Sequence, residues 1–126
     1  MSEQFSSGEY LVISRGEWDS SLSRDDIAKA IDQFYMWYDR LVTEGKIRPG
    51  QRLTYEGKTV FGSNVITDGP FGESKEVIGG FWLILANSLE EAAQIAKGNP
   101  CLNCGLFSEV RPIDPRRGTP DNTRRA

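Results

Sequence analysis

The chain has no histidine among its 126 residues, so it lacks the side chain that titrates nearest neutral pH and is the commonest metal ligand. Any proton transfer has to run on carboxylates, amines, phenols or water. Cysteine is scarce too: Cys101 and Cys104 are too few for a disulfide framework, and in a reducing compartment such a pair stays as thiols. No apolar run approaches the length needed to cross a bilayer. With 15 basic and 18 acidic residues the net charge is −3, without the basic excess of a general nucleic-acid binder. The opening Met1-Ser2-Glu3-Gln4-Phe5-Ser6 has neither the basic nor the apolar segment of an export signal. The expectation is a cytoplasmic protein with no membrane or nucleic-acid partner, and the length fits one domain.

What is present is a regular succession of elements. Residues 10–13, Tyr-Leu-Val-Ile, read as a strand with apolar side chains on both faces. Ser23 and Asp26 have capping-box spacing, with Leu22 and Ile27 as a hydrophobic staple, and so begin a helix. Its apolar stripe is expected along Ile27, Ile31, Phe34, Tyr38 and Leu41, and Gly45 is a natural stop. Two short strands, 51–55 and 59–61, are expected to join through a turn at 56–58. Residues 77–86 form a second strand apolar on both faces. Ser88 and Glu91 open a second helix, which carries Leu89, Ala92, Ala93 and Ala96 and ends before Gly98. A last strand spans about 106–113, and residues 1–8 and 114–126 are expected to be flexible termini.

Between these elements lies the run Val65-Ile66-Thr67-Asp68-Gly69-Pro70-Phe71. β-Branching makes the first three residues a strand, and Gly69-Pro70 stops it, which leaves Asp68 at a strand terminus. Period-two counting puts Asp68 on one face with Ile66. If that face looks into a pocket, desolvation raises the carboxyl pKa and suits it to general acid or base work. Alternatively, Asp68 accepts hydrogen bonds from its own turn, as Asx residues commonly do.

This Asp-Gly-Pro-Phe strand end, with Glu73-Ser74-Lys75-Glu76 and the Gly79-Gly80 pair after it, resembles the YCII-related, DGPF-type domain family. The likeness is close over residues 65–83 and extends across a domain at 9–113. It implies a small, usually dimeric α+β domain with a pocket near the motif, and it implies no known substrate. Asp68 stands where the family is suspected of acting. Many members are suspected of pairing that Asp with a His, which this chain does not possess.

The element order is a ferredoxin-like βαββαβ pattern, with both helices on one face of an antiparallel sheet. Strands apolar on both faces would leave a wet patch larger than a monomer normally tolerates. A homodimer with sheets packed face to face is therefore expected, consistent with the dimeric α+β barrel that the resemblance implies.

In the candidate site Asp68 is the catalytic group and Phe71 can wall the pocket. Lys75 could orient an anionic substrate or pair with Asp68, and Arg15, at the end of strand one, could give an anion a partner. The competing reading of the charges is an exposed hairpin of alternating sign and a solvated strand end. Trp18 and Arg52 are weaker candidates. Gly79-Gly80 marks a bulge or a close backbone approach rather than a phosphate loop. Cys101-Leu102-Asn103-Cys104 lacks two ligands for zinc and follows a helix and Pro100, where a thioredoxin-type pair would open a helix after a strand. Buried or incidental thiols are expected, with no metal and no cofactor. The functional expectation is cofactor-independent proton transfer of lyase or isomerase type on a small organic molecule. The alternative is a non-catalytic ligand-binding or regulatory module; fold alone does not choose.

Overall fold

The computed structural model describes residues 8–62, 65–68 and 77–124, with backbone only at 61 and 65–68. Its elements are β1 (Glu9–Gly16), α1 (Arg24–Thr43), β2 (Ile47–Arg52), β3 (Lys58–Phe61), β4 (Val65–Asp68), β5 (Ile78–Leu85), α2 (Leu89–Ala96), a 3-10 turn (Pro100–Asn103) and β6 (Leu106–Pro112). Four strands form one antiparallel sheet in the order β2-β5-β1-β6, and β3 and β4 pair separately. Without the β3–β4 hairpin the path is βαββαβ, and the sheet order is that of the ferredoxin-like fold, as expected.

Local chemistry accounts for the helix boundaries. Ser23 Oγ accepts from the Asp26 N–H at 3.0 Å, and the Ser23 N–H donates to Asp26 Oδ2 at 3.1 Å, a complete capping box. The hydrogen bond from the Ser23 backbone holds the Asp26 carboxyl below its ordinary pKa. Gly45 takes a φ of 78°, a left-handed conformation that residues with a Cβ rarely adopt. Ser88 caps α2 through the Glu91 N–H, while the Glu91 carboxylate accepts from Asn87, one residue before the cap.

Both helices cover the face that carries Tyr10, Val12, Trp82 and Ile84, and the core closes there with Trp37, Leu41, Ile47, Ala92 and Ala96. The α1 stripe is turned from its expected line: Ala30, Trp37 and Leu41 are buried, and Ile31 is 38% exposed. Trp37 supplies the reason, because its indole fills the space beside Gly98, where a Cβ would come within 2.7 Å of Nε1. Gly98 serves that close approach and does not have a positive φ.

The expected pairing of 51–55 with 59–61 is replaced by two different ladders. β2 begins at Ile47 and pairs with β5, while β3 pairs with β4, placing Lys58 opposite Asp68. Pro49 is tolerated because β2 is an edge strand and its ladder slips between Arg48 and Gln51. There Gly50 passes so close to β5 that a Cβ would lie 1.9 Å from the Phe81 carbonyl oxygen.

The opposite sheet face carries Leu11, Ile13, Phe81, Leu83 and Phe107 in cross-strand register. Phe81 and Phe107 remain 36% and 42% exposed, so within one chain this face is only partly covered. Residues 114–124 include a local pair in which Arg116 grips the Asp114 carboxylate, holding its pKa down at about 2.

Candidate functional site

A cavity of about 860 Å³ opens at one end of the sheet, between α1 and the helix-facing side of β5. Its aromatic wall is built by chain geometry: Phe34 and Tyr35 come from adjacent positions on α1, and Trp82 rises from the middle of β5. The Phe34 and Trp82 rings lie 5.4 Å apart and the Phe34 and Tyr35 rings 5.2 Å apart, in edge and tilted contacts that hold each other's rotamers. Trp18 and Tyr55 contribute from the loops after β1 and β2. A smaller groove of about 210 Å³ also borders Phe34, Tyr35, Arg52 and Trp82, and reaches Tyr38. There the Tyr38 hydroxyl accepts from the Gly50 N–H at 3.3 Å, and burial pushes its pKa up.

The cavity floor follows from the glycine pair. Ser14 pairs with Gly80, and Arg15 with Ile78, so Gly79 is the extra residue of a β-bulge. Gly80 is buried against β2, where a Cβ would come within 2.7 Å of the Gln51 carbonyl oxygen. The bulge and the close approach expected of this pair are thus both present, and they leave a stretch of floor without a side chain.

Polar groups on this wall are few. Trp82 is 7% exposed, and its indole Nε1–H has no hydrogen-bond partner among the described residues. Buried donors are nearly always satisfied, and this one is an exception that is also shut off from solvent. Asn99, 6% exposed, uses its carbonyl oxygen to accept from the Cys101 N–H at 2.8 Å. Cys101 is a buried thiol whose Sγ contacts the Ala30 carbonyl at 3.7 Å. Burial, and secondarily Cys104, push its pKa up to about 11, so it remains protonated and a poor nucleophile near neutrality. Among the described residues no three His, Cys, Asp or Glu groups converge as a metal site.

The residues expected to act fall in several places. Phe71 and Lys75 lie outside the described residues, and Asp68 is placed by its backbone alone, at the end of β4. Arg15 lies on the sheet face away from the helices, where its Nε donates to Glu109 Oε1 at 2.7 Å; it is not among the cavity-lining residues. Glu109 also accepts from Arg111, and these hydrogen bonds hold its pKa down. Trp18 and Arg52, the weaker candidates, both line the cavity. Ser14, Phe34, Tyr35, Trp82 and Asn99 were not singled out as site residues. Period-two counting from Gly80 to Trp82 held a partial signal, but the pairing of Ser14 and Arg52 across Gly80 is visible only in the assembled sheet.

Fold and cavity together define a ferredoxin-like α+β domain with an aromatic-walled pocket between its first helix and its sheet. The sequence matches the YCII-related domain over residues 9–115, and the chain belongs to that family. An uncharacterised protein of Rhizobium meliloti strain 1021 is 33% identical over 100 residues, covering 75% of this chain and 81% of that protein. Among solved structures, a 5-chloro-2-hydroxyhydroquinone dehydrochlorinase from Burkholderia phenoliruptrix AC1100, in complex with 2,5-dihydroxybenzoquinone, aligns with a TM-score of 0.45. That alignment has 17% identity and covers 84% of this chain and 93% of the enzyme.

Proposed function

We propose that this protein binds a small organic molecule in the cavity beside Trp82 and carries out cofactor-independent acid/base chemistry on it, of lyase or isomerase type. The observation that carries the binding reading is the cavity of about 860 Å³ walled by Phe34, Tyr35 and Trp82. Asp68 is the proposed proton carrier, with Phe71 and Lys75 of the same motif shaping and charging the entrance. A carboxyl group at a strand end can be desolvated by an apolar ligand and so brought toward the pKa that proton transfer at neutral pH needs. Arg15 acts from the sheet face, as a partner for charge at a subunit boundary.

In this reading the working unit is a homodimer in the form of a dimeric α+β barrel. Leu11, Ile13, Phe81, Leu83 and Phe107 make this face largely apolar, with the Arg15, Glu109 and Arg111 cluster at its β6 side, and a second copy of the same sheet can cover it under twofold symmetry. The cytoplasm is the compartment assigned, since there the pair Cys101 and Cys104 stays reduced. No described helix is long and apolar enough to cross a membrane.

A second reading, a non-catalytic ligand-binding or regulatory module, is favoured by the absence of histidine and by the protonated state of the Cys101 thiol. The two separate in one experiment: incubation with a panel of enolisable small acids in D2O, followed by NMR. Catalysis predicts solvent-proton exchange at an activated C–H that disappears in Asp68→Asn. Exchange that survives this substitution sinks the role of Asp68, and binding without exchange favours the module.

A further inference from the structure

We infer that Asn99 is a specificity-determining residue of the cavity, and that its side-chain amide selects a neutral, ring-bearing molecule by donating to a carbonyl oxygen. This rests on the cavity being a ligand site and names the chemical class it takes. Asn99 lines the cavity and is only 6% exposed. Its backbone is committed on both sides: the N–H donates to the Ala96 carbonyl at 3.1 Å, and the carbonyl accepts from the Leu102 N–H at 3.2 Å. In the side chain, Oδ1 accepts from the Cys101 N–H at 2.8 Å. Nδ2 has no partner among the described residues and, unlike Trp82 Nε1, is not shut off from solvent.

The amide cannot turn round. Rotated by half a turn, it would set Nδ2 against the Cys101 N–H, two donors with no acceptor between them, and the capping bond would be lost. The free end of the group is therefore a donor and never an acceptor. A ligand gains there only by bringing a lone pair, and an apolar group pressed against it leaves a buried donor unmet.

Position in the fold decides the charge of the acceptor. The turn that follows Asn99 packs against α1 and β6. Arg52 lies on β2, at the other edge of the β2-β5-β1-β6 sheet and so about 14 Å from β6, too far for its guanidinium to share the acceptor. Glu17, by contrast, is on the near side: its loop is tied to the same turn by the Asp19 N–H, which donates to the Cys104 carbonyl at 2.8 Å. Ile31, Cys101 and Leu106 line the cavity with Asn99. One neutral donor among apolar side chains, with a carboxylate nearby, offsets the desolvation of a carbonyl oxygen but not that of an anion. Phe34, Tyr35 and Trp82 supply the faces and edges that a ring meets.

Two probes titrated into the full chain test this in 15N–1H spectra: acetophenone, and α-methylstyrene, which has the same shape with a methylene group in place of the carbonyl oxygen. Asn99→Asp and Asn99→Ser each keep an oxygen to cap the Cys101 N–H and remove the amide donor, and the side-chain NH2 signals that vanish in them identify Asn99. Acetophenone is expected to move those signals, and to bind about three- to tenfold more weakly to both variants, the worth of one hydrogen bond. α-Methylstyrene is expected to bind parent and variants alike; comparing each probe with itself removes the difference in their hydrophobicity. Unmoved Asn99 signals, acetophenone affinity unchanged in the variants, equal losses for both probes, or binding of α-methylstyrene alone overturns the donor role and leaves the cavity reading standing. If neither probe shifts the backbone signals of Phe34 and Tyr35 in the folded parent, both fail together.

Discussion

Three glycines packed at one sheet edge, substituted singly by alanine, should destabilise the fold in a graded order set by backbone approach. At Gly79 a Cβ meets nothing described closer than Ser14 Oγ at 4.0 Å. At Gly80 it would lie 2.7 Å from the Gln51 carbonyl oxygen and 3.2 Å from Arg52 Cα, both backbone atoms that cannot rotate away. At Gly50 the distance to the Phe81 carbonyl oxygen is 1.9 Å, which no side-chain adjustment relieves. None of the three has a positive φ, so the cost comes from contact and not from backbone strain. Gly79→Ala should be within about 0.5 kcal/mol of the parent, since any loss is offset by reduced freedom of the unfolded chain. Gly80→Ala should cost about 1–3 kcal/mol, the usual range for forcing extra atoms into packed structure, and Gly50→Ala about 3 kcal/mol or more. Urea unfolding of all four proteins under identical conditions reads these differences as shifts in midpoint at constant slope. A Gly79→Ala variant as destabilised as Gly80→Ala would refute the assigned register, because neighbouring residues would then share one environment.

Phe81→Asp, on the uncovered sheet face, should turn a dimer into a monomer in sedimentation at micromolar concentration; a parent chain that is already monomeric sinks the face-to-face assembly. Glu109 has a depressed pKa in the fold because Arg15 and Arg111 bond to it, so its contribution is present above its ordinary value of 4.5 and is lost as pH falls through the lower folded value. Arg15→Gln should flatten that acid-side loss in unfolding measured between about pH 3 and pH 7, and an unchanged slope would dismiss the pair as a stabilising element. With its pKa pushed up to about 11, Cys101 should react with iodoacetamide at pH 8 about a hundredfold more slowly than a free cysteine, as mass spectrometry of the alkylated native protein would reveal. Rapid labelling of both thiols would contradict its burial.

Much of the architecture was legible because the relevant signals are local. Ser23 and Asp26 satisfy each other's backbone within one helical turn, so their spacing announces the helix start wherever the helix packs. The positive φ of Gly45 and the capping Ser88 are signals of the same kind. Strands β1 and β5 were readable from apolar runs, and the motif around Asp68 carried the family, confirmed over residues 9–115. The pairing of β2 was misread because Pro49 and Gly50 look like an interruption, although an edge ladder absorbs both by slipping register. The α1 stripe was displaced because the large Trp37 ring claimed the space left beside Gly98, a residue far away in the chain.

The candidate site divides along the same line. Asp68 at a strand end, the ferredoxin-like order and the lack of a histidine partner are properties of the sequence by itself, since each depends on residue type and spacing within a short segment. The cavity, the close approach of β2 to Gly80 and the placement of Ser14, Arg52 and Trp82 along one lining were decided only by tertiary structure. Ser14, Arg52 and Gly80 come from three strands well separated in the chain, and a one-residue slip in either ladder would turn a donor to the opposite face of the sheet. Register is fixed by bulges and backbone contacts between distant segments, a balance of packing that no local pattern encodes.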